Sequence, residues 1–260
     1  MKQPIIQVQQ LVKKYGSFEA VKGISFDVME GEIFGLLGPN GAGKSTTLEI
    51  LETLREKTAG SVWIDGLSID TDPATIKSRI GIQLQTAGFY PGLTLLELIR
   101  LFNGLYGTNA DPQELLAQVQ LTDKANATVK ALSGGQKQRF AIATTRINQP
   151  RIIFLDEPST GLDPQARRSL WELIRSIQKN GTTIVLTTHY MEEAEYLCNR
   201  VAIMDQGKII AIDTPDNLID ALLKTGFERK KELKQAGLED VFIQLTGHGI
   251  DTNTTEPVNT

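Results

Sequence analysis

Residues 38–46 read Gly38-Pro39-Asn40-Gly41-Ala42-Gly43-Lys44-Ser45-Thr46. Gly38, Gly43, Lys44 and Ser45 keep the spacing G-x-x-x-x-G-K-[ST], in which glycines let backbone N–H groups turn inward around phosphate oxygens. The stretch before it, 32–37, is a short apolar run suited to a buried strand. The stretch after it, 46–54, has apolar residues at 48, 50, 51 and 54 and suits a helix. Strand, loop and helix in that order place a helix N-terminus, with its partial positive charge, against the loop. Lys44 is expected to reach the β- and γ-phosphates of a nucleotide and the Ser45 hydroxyl to ligate Mg2+. The competing reading is a glycine-rich turn that binds nothing, which the flanking strand and helix disfavour.

A second apolar run, 151–155, ends in Asp156 and Glu157. Ligands of parallel sheets gather at the carboxyl ends of strands, so Asp156 is placed to hold Mg2+, through water. Strand alternation turns Glu157 to the other face, where a carboxylate orients or deprotonates an attacking water. Taken alone, an acidic strand cap before a turn reads equally well. Leu132-Ser133-Gly134-Gly135-Gln136 precedes a helical pattern over 136–147, with Ser133 as the N-cap. This is a second helix N-terminus suited to an anion. Residues 38–46 already hold one nucleotide's phosphates, so the simplest use of the second turn is the γ-phosphate of a nucleotide held by another copy. An ordinary capped helix is the alternative.

With these motifs in this order, the chain resembles an ATP-binding-cassette (ABC) ATPase subunit over roughly residues 5–215. The resemblance implies an α/β fold: a P-loop NTPase with a RecA-like core, an N-terminal antiparallel β lobe and an inserted helical subdomain at about 86–147. It implies ATP and Mg2+ as ligands, with Ser45, Gln85 and Asp156 around the metal. Tyr15 matches the aromatic that stacks on adenine, although a strand-end core aromatic reads as well. Gln85 matches the glutamine that senses Mg2+ and the attacking water, with Gln83 close enough to compete for the assignment. Ser133, Gly134, Gly135 and Gln136 match the signature that closes on a partner's ATP. Asp163, in the stretch 159–163, matches the loop that crosses a dimer interface. His189, after the run 182–188, matches the switch histidine at the γ-phosphate. Lys44, Gln85, Glu157 and His189 form the expected catalytic set, and no catalytic position departs from the pattern.

Composition agrees with an enzyme of ordinary globular type. Of 260 residues, 40% are hydrophobic and 22% charged. The net charge of -4 argues against a general nucleic-acid binder, and no nucleic acid is expected as a partner. One cysteine, Cys198, allows no intrachain disulfide and suits a reducing cytosol. No apolar run approaches the ~18 residues that span a bilayer, and the first residues lack the apolar core of a secretion signal. The expectation is a cytoplasmic chain, peripheral on the inner face of the cell membrane through a separate transmembrane permease.

Residues 1–37 and 61–66 read as short strands, with a tight turn at 29–31. Asp72 and Pro73 open a helix expected to end near Gly81. Thr94 with Glu97, and Asp111 with Glu114, both fit a capping box. Asp163 and Pro164 open a helix to about Lys179. Residues 201–205 and 208–212 read as a hairpin across Gln206-Gly207. Residues 1–215 are expected to form the nucleotide-binding domain and 216–246 a helical extension, with 247–260 a polar disordered tail. Arg229, Lys230, Lys231 and Lys234 read as a solvated basic face. Phe89, Tyr90 and Leu93, in the stretch 86–93, form a candidate apolar patch for the permease, with membership of the core an equal alternative.

The stretches 81–85, 90–94 and 238–247 resemble the exporter-associated subunits, often serving drug or lipid-like efflux, whose permease is a separate chain. Two copies, most simply a homodimer, would sandwich two ATPs. The competing expectation is a non-transport ABC ATPase acting in translation or DNA maintenance. Such relatives usually carry two cassettes or a long coiled coil, and this chain has neither. A regulatory module that hydrolyses little is a third reading, against which Glu157 and His189 both stand.

Overall fold

The computed structural model describes residues 4–85, 88–227 and 238–246. The chain opens with two long strands, β1 (Pro4–Tyr15) and β2 (Phe18–Met29), then β3 (Ile33–Leu37), the phosphate loop and α1 (Lys44–Leu51). β4 (Ala59–Ile64), β5 (Leu67–Ser68), α2 (Pro73–Arg79) and β6 (Ile80–Gln83) follow. A helical stretch holds α3 (Leu95–Tyr106), α4 (Pro112–Gln118) and α5 (Gly134–Thr145). Strand and helix then alternate through β7 (Ile152–Asp156), α6 (Pro164–Lys179), β8 (Thr183–Thr188), α7 (Met191–Leu197), β9 (Arg200–Asp205) and β10 (Lys208–Asp213). Two helices, α8 (Pro215–Leu223) and α9 (Leu238–Thr246), complete the described chain.

Two sheets result. One is antiparallel, in the order β2-β1-β4-β5; the other runs β10-β9-β3-β8-β7-β6. In the second, β9, β3, β8, β7 and β6 pair in parallel and β10 joins by an antiparallel hairpin. Gln206 and Gly207 both have positive φ, 45° and 79°, as the two-residue hairpin turn requires. The parallel strands are buried on both faces, and their alternation divides the core. Ile33, Ile153, Leu155, Ile184 and Ile203 pack toward the helical stretch and α6–α9. Phe34, Leu36, Phe154, Val185 and Met204 pack toward α1 and the antiparallel sheet. Each strand therefore cements two layers, which fixes its register at about one residue.

The helix starts follow the sequence with one correction. Thr94 and Glu97 form the expected capping box, and Ser133, expected as an N-cap, forms one with Gln136 as well. Asp111 caps α4 through the Gln113 N–H, but Glu114 does not return the bond; its carboxylate accepts from Gln118 one turn later. α2 ends at Arg79, near Gly81 as expected, and Gly81 itself lies within β6, pairing with β7. α9 docks as expected, with Val241 and Phe242 buried in the helical-side core. Phe89 and Leu93 pack on that core while Tyr90 is exposed, so the apolar patch foreseen at 86–93 is only partly a surface. The basic cluster at 229–234 and the tail 247–260 lie outside the described residues.

Gly81 has a packing reason. A Cβ there would stand 2.2 Å from the Thr145 carbonyl oxygen at the end of α5. Backbone oxygen does not yield cheaply, so Gly81→Ala is expected to cost about 1–3 kcal/mol. Denaturant unfolding reads this as a lower midpoint with an unchanged slope. An unchanged midpoint would mean that α5 stands farther from β6.

Candidate nucleotide site

The carboxyl ends of β3, β6, β7 and β8 meet around a cleft of about 460 Å³, lined by Tyr15, Asn40, Gly41, Gly43, Lys44, Ser45, Thr46, Gln85 and Glu157. Gly43, with φ 97°, precedes α1 and supplies no side-chain cap, which leaves first-turn N–H groups of α1 for a ligand. A Cβ at Gly43 would also meet the Ala20 carbonyl oxygen at 2.6 Å, so both backbone shape and space require glycine here. Lys44 is 4% exposed, and its ammonium donates to the Pro39 carbonyl at 3.1 Å. A larger cleft, about 660 Å³, opens at the amino-terminal ends of β7 and β8, lined by Arg146, Arg151 and Asn180 among others. It has no phosphate loop.

β7 ends at Asp156, and Glu157 departs from the strand with φ 46°. This corrects the expectation that alternation alone would separate the two carboxylates. The left-handed conformation at a non-glycine residue costs roughly 1–3 kcal/mol and is typical of functional sites. It swings Glu157 into the cleft, where its Oε1 lies 3.8 Å from Lys44 Nζ and 3.3 Å from His189 Nδ1. Its Oε2 accepts from Gln85 Nε2 at 3.3 Å and from the Thr160 hydroxyl at 3.2 Å. Thr187 holds the turn: the Glu157 N–H donates to its hydroxyl at 3.0 Å and to its carbonyl at 3.2 Å.

The charges of this cluster are uneven. His189 facing it, then Lys44, hold the Glu157 carboxyl below the usual glutamate range despite partial burial. Lys44 moves down as well, because burial outweighs its attraction to Glu157 and Asp156. The pair is therefore not a saturated salt bridge: Lys44 remains under-solvated, and a polyanion would relieve it. Asp156 moves up through burial, opposed by hydrogen bonds from Thr187 and Ser45.

Ser45 Oγ donates to Asp156 Oδ1 at 3.2 Å. These oxygens, with the Gln85 amide nearby, are hard donors of the kind Mg2+ takes. Among the described residues no group of three or more His, Cys, Asp or Glu could hold a metal alone. A Mg2+ ion that keeps waters and borrows phosphate oxygens needs no such cage, so the donor set fits.

Gln83 and Gln85 are now separable. Gln83 is 2% exposed and bonds to Gln138, whereas Gln85 reaches Glu157. Tyr15 borders the cleft, half-exposed, with Lys13 Nζ and Arg55 Cζ at 5.1 and 5.4 Å from its ring centre. Asp163 acts locally as the N-cap of α6, accepting from the Gln165 and Ala166 N–H groups. The residues 133–136 do not line the Lys44 cleft. Their turn packs beside the Asp163 loop instead, with Gly135 close to Ala166 and Gly134 close to Leu162.

Sequence reading missed Thr187, Thr160, Phe18 and Glu52. Thr187 had a signal, a hydroxyl residue at the carboxyl end of an otherwise apolar strand. Phe18 pairs with Tyr15 across the β1–β2 hairpin and joins it in the cleft lining. Glu52, after α1, is 1% exposed, and one of its carboxylate oxygens has no hydrogen-bond partner among the described residues. Burial, and then Asp156, push its pKa up to about 8. Between the ordinary glutamate range and about 8 the folded chain keeps a proton that the unfolded chain has lost. Stability therefore falls as pH rises through that window. Glu52→Gln is expected to flatten this slope and to gain on the order of a few kcal/mol above it. Melting curves at pH 5 to 9 check this, and parallel profiles for the two proteins would refute it.

Residues 21–160 match the ABC transporter family. The linearmycin resistance ATP-binding protein LnrL of Bacillus subtilis is 38% identical over 244 residues, covering 92% of this chain and 78% of that protein. The Nod factor export ATP-binding protein I of Ralstonia nicotianae is 42% identical over 221 residues, covering 83% and 69%. A solved ATP-binding subunit of an ABC transporter superposes with TM-score 0.78 at 29% identity, covering 93% of this chain and 99% of that one. A dimeric ATP-binding cassette in a post-hydrolysis state, bound to ADP and Pi, superposes with TM-score 0.72 at 29% identity over 80% of this chain and 98% of that one. Cleft geometry, strand order and relatives converge, and this chain belongs to the ABC transporter family as one of its ATP-binding subunits.

Proposed function

We propose that two copies of this chain close head to tail around two ATPs, hydrolyse them, and drive export of a drug- or lipid-like substrate through a separate transmembrane permease. The convergence of Lys44, Gln85 and His189 on the Glu157 carboxylate carries this reading. The loop N–H groups and Lys44 bind and orient the phosphates. Glu157 accepts the proton of the attacking water, while Gln85 and His189 position that water and the γ-phosphate. Tyr15 stacks on the base. Ser45, Asp156 and Gln85 would hold Mg2+, which would supply neutralisation of phosphate charge. Ser133, Gly134, Gly135 and Gln136 complete the partner's site, with Asp163 in the loop between them.

Each γ-phosphate would thus join two subunits, and its loss would release charge-assisted contacts across the interface. The names of the relatives, linearmycin resistance and Nod factor export, support export as the direction of work. Among the described residues no helix is long and apolar enough to cross a membrane. The proposed place of work is the cytoplasmic face of the membrane.

The test is affinity purification of Glu157→Gln, with ATP, from detergent-solubilised native cells, followed by mass spectrometry. Stoichiometric recovery of a multi-spanning membrane protein is expected and would identify the permease. Recovery of ribosomes or DNA-bound complexes instead would replace export by a soluble role.

A further inference from the structure

Gln83 stands two residues before Gln85 and belongs to none of the contacts of the cleft. Its side chain is 2% exposed, and its Nε2 donates to Gln138 Oε1 at 3.0 Å. Its own Oε1 is buried with no hydrogen-bond partner among the described residues. A buried amide on an otherwise apolar strand is costly unless bonded, so the contact with Gln138 governs how β6 and α5 fit together. Gln138 lies on α5, one turn beyond Gly134.

α5 is held to the β6 side at two places of different character. At its C-terminal end the contact is backbone: Gly81 abuts the Thr145 carbonyl, and just beyond, Asn148 Nδ2 donates to the Ser78 and Ile80 carbonyls, both at 3.0 Å. Nearer its N-terminus the tie is the Gln83–Gln138 side-chain bond. At 1.5 Å per residue, Gln138 sits about 10 Å and Gly134 about 16 Å along α5 from Thr145. A displacement of Gln138 about that fixed end is therefore enlarged roughly 1.6-fold at the glycines. On the other side, the chain runs from Gln83 directly to Gln85, whose amide meets Glu157.

We propose that the Gln83–Gln138 bond is a latch that sets the position of the Ser133–Gln136 turn from the position of Gln85. Gln83 and Gln138 are then positioning residues for the nucleotide held by the partner copy. The latch rests on the reading of that turn as the partner's phosphate site. Arrival of a phosphate beside Glu157 shifts Gln85, the end of β6 follows, and α5 pivots to present or withdraw its glycines. Neither glutamine touches the subunit's own nucleotide.

The experiment uses the full chain carrying Glu157→Gln, with Gln83→Leu, Gln138→Leu or both added. Sedimentation in saturating ATP gives the dimer dissociation constant. Binding of a fluorescent ATP analogue at dilution, where the chain is monomeric, gives affinity at the Lys44 cleft. Each single change is expected to weaken the dimer about tenfold with monomer affinity unchanged. The double change is expected to be no worse than one, because both members of one bond are removed together. Gln83→Glu, which lacks the amide hydrogens that Gln83 donates to Gln138 Oε1, is expected to weaken the dimer at least as much as Gln83→Leu. If Gln138→Leu does not fold, Gln138→Met replaces it on the same helix surface.

Effects that multiply in the double variant, or dimer constants unchanged in folded variants, overturn the latch. Equal losses in dimerisation and monomer affinity overturn it too. Failure of the chain with native Gln83 and Gln138 to dimerise in ATP removes the shared-site reading itself, and the latch with it.

Discussion

Glu157→Gln is expected to bind ATP normally and to lose turnover by about a thousandfold. The amide keeps the shape of the carboxylate and its contact with Gln85, but it cannot accept the proton of an attacking water. His189 and Lys44 both lie against Glu157 Oε1, and they hold the carboxyl below its ordinary range. A carboxylate so stabilised is a poor base. Phosphates drawn to Lys44 would take that ammonium away from Glu157 and place negative charge beside it, and both changes raise its basicity. In the proposed mechanism Glu157 would thus become a competent base only when substrate is present. Phosphate release and sedimentation on the same sample check the prediction: turnover vanishes and dimer accumulates in ATP. Residual turnover within tenfold of the native chain would assign the proton to another group.

Lys44→Ala is expected to weaken ATP binding by about a hundredfold, the loss of charge-assisted contacts to phosphate. The same change should cost the empty chain little. Burial already opposes the Lys44 charge, and Glu157 would retain His189, Gln85 and Thr160 as neighbours. Calorimetric titration with ATP and a thermal melt without it separate the two effects. A large fall in melting temperature with little change in affinity would make Lys44 a structural cation rather than a phosphate ligand.

Much of this site was legible before any coordinates. The phosphate loop is local: its residues are contiguous, their spacing follows from the geometry of backbone N–H groups around an anion, and strand and helix flank it at once. The same holds for Ser133 as the N-cap of α5, which depends only on the residues beside it. Glu157 was legible as a carboxylate at a strand end but not in its direction, because a left-handed φ at a non-glycine residue has no local signature. The choice between Gln83 and Gln85 was open for a similar reason. Alternation treats two residues of one strand alike, and only the packing of α5 on β6 buries one of them. Asp111 and Glu114 fit a pattern that the helix used only in half, since Gln118 offered the glutamate another donor.

Sequence by itself determined the class of ligand, the order of the motifs and the layered α/β plan, because each depends on short-range spacing or on apolar periodicity. Tertiary structure alone decided which side chains meet. Asp156 with Ser45, Glu157 with His189 and Gln83 with Gln138 are separated by 111, 32 and 55 positions, respectively. Strand order brings them together, and strand order is set by how two cores share the faces of one parallel sheet. It also placed the second glycine turn outside the first nucleotide's cleft. Periodicity can mark a face for burial, but it cannot name what will be buried against it.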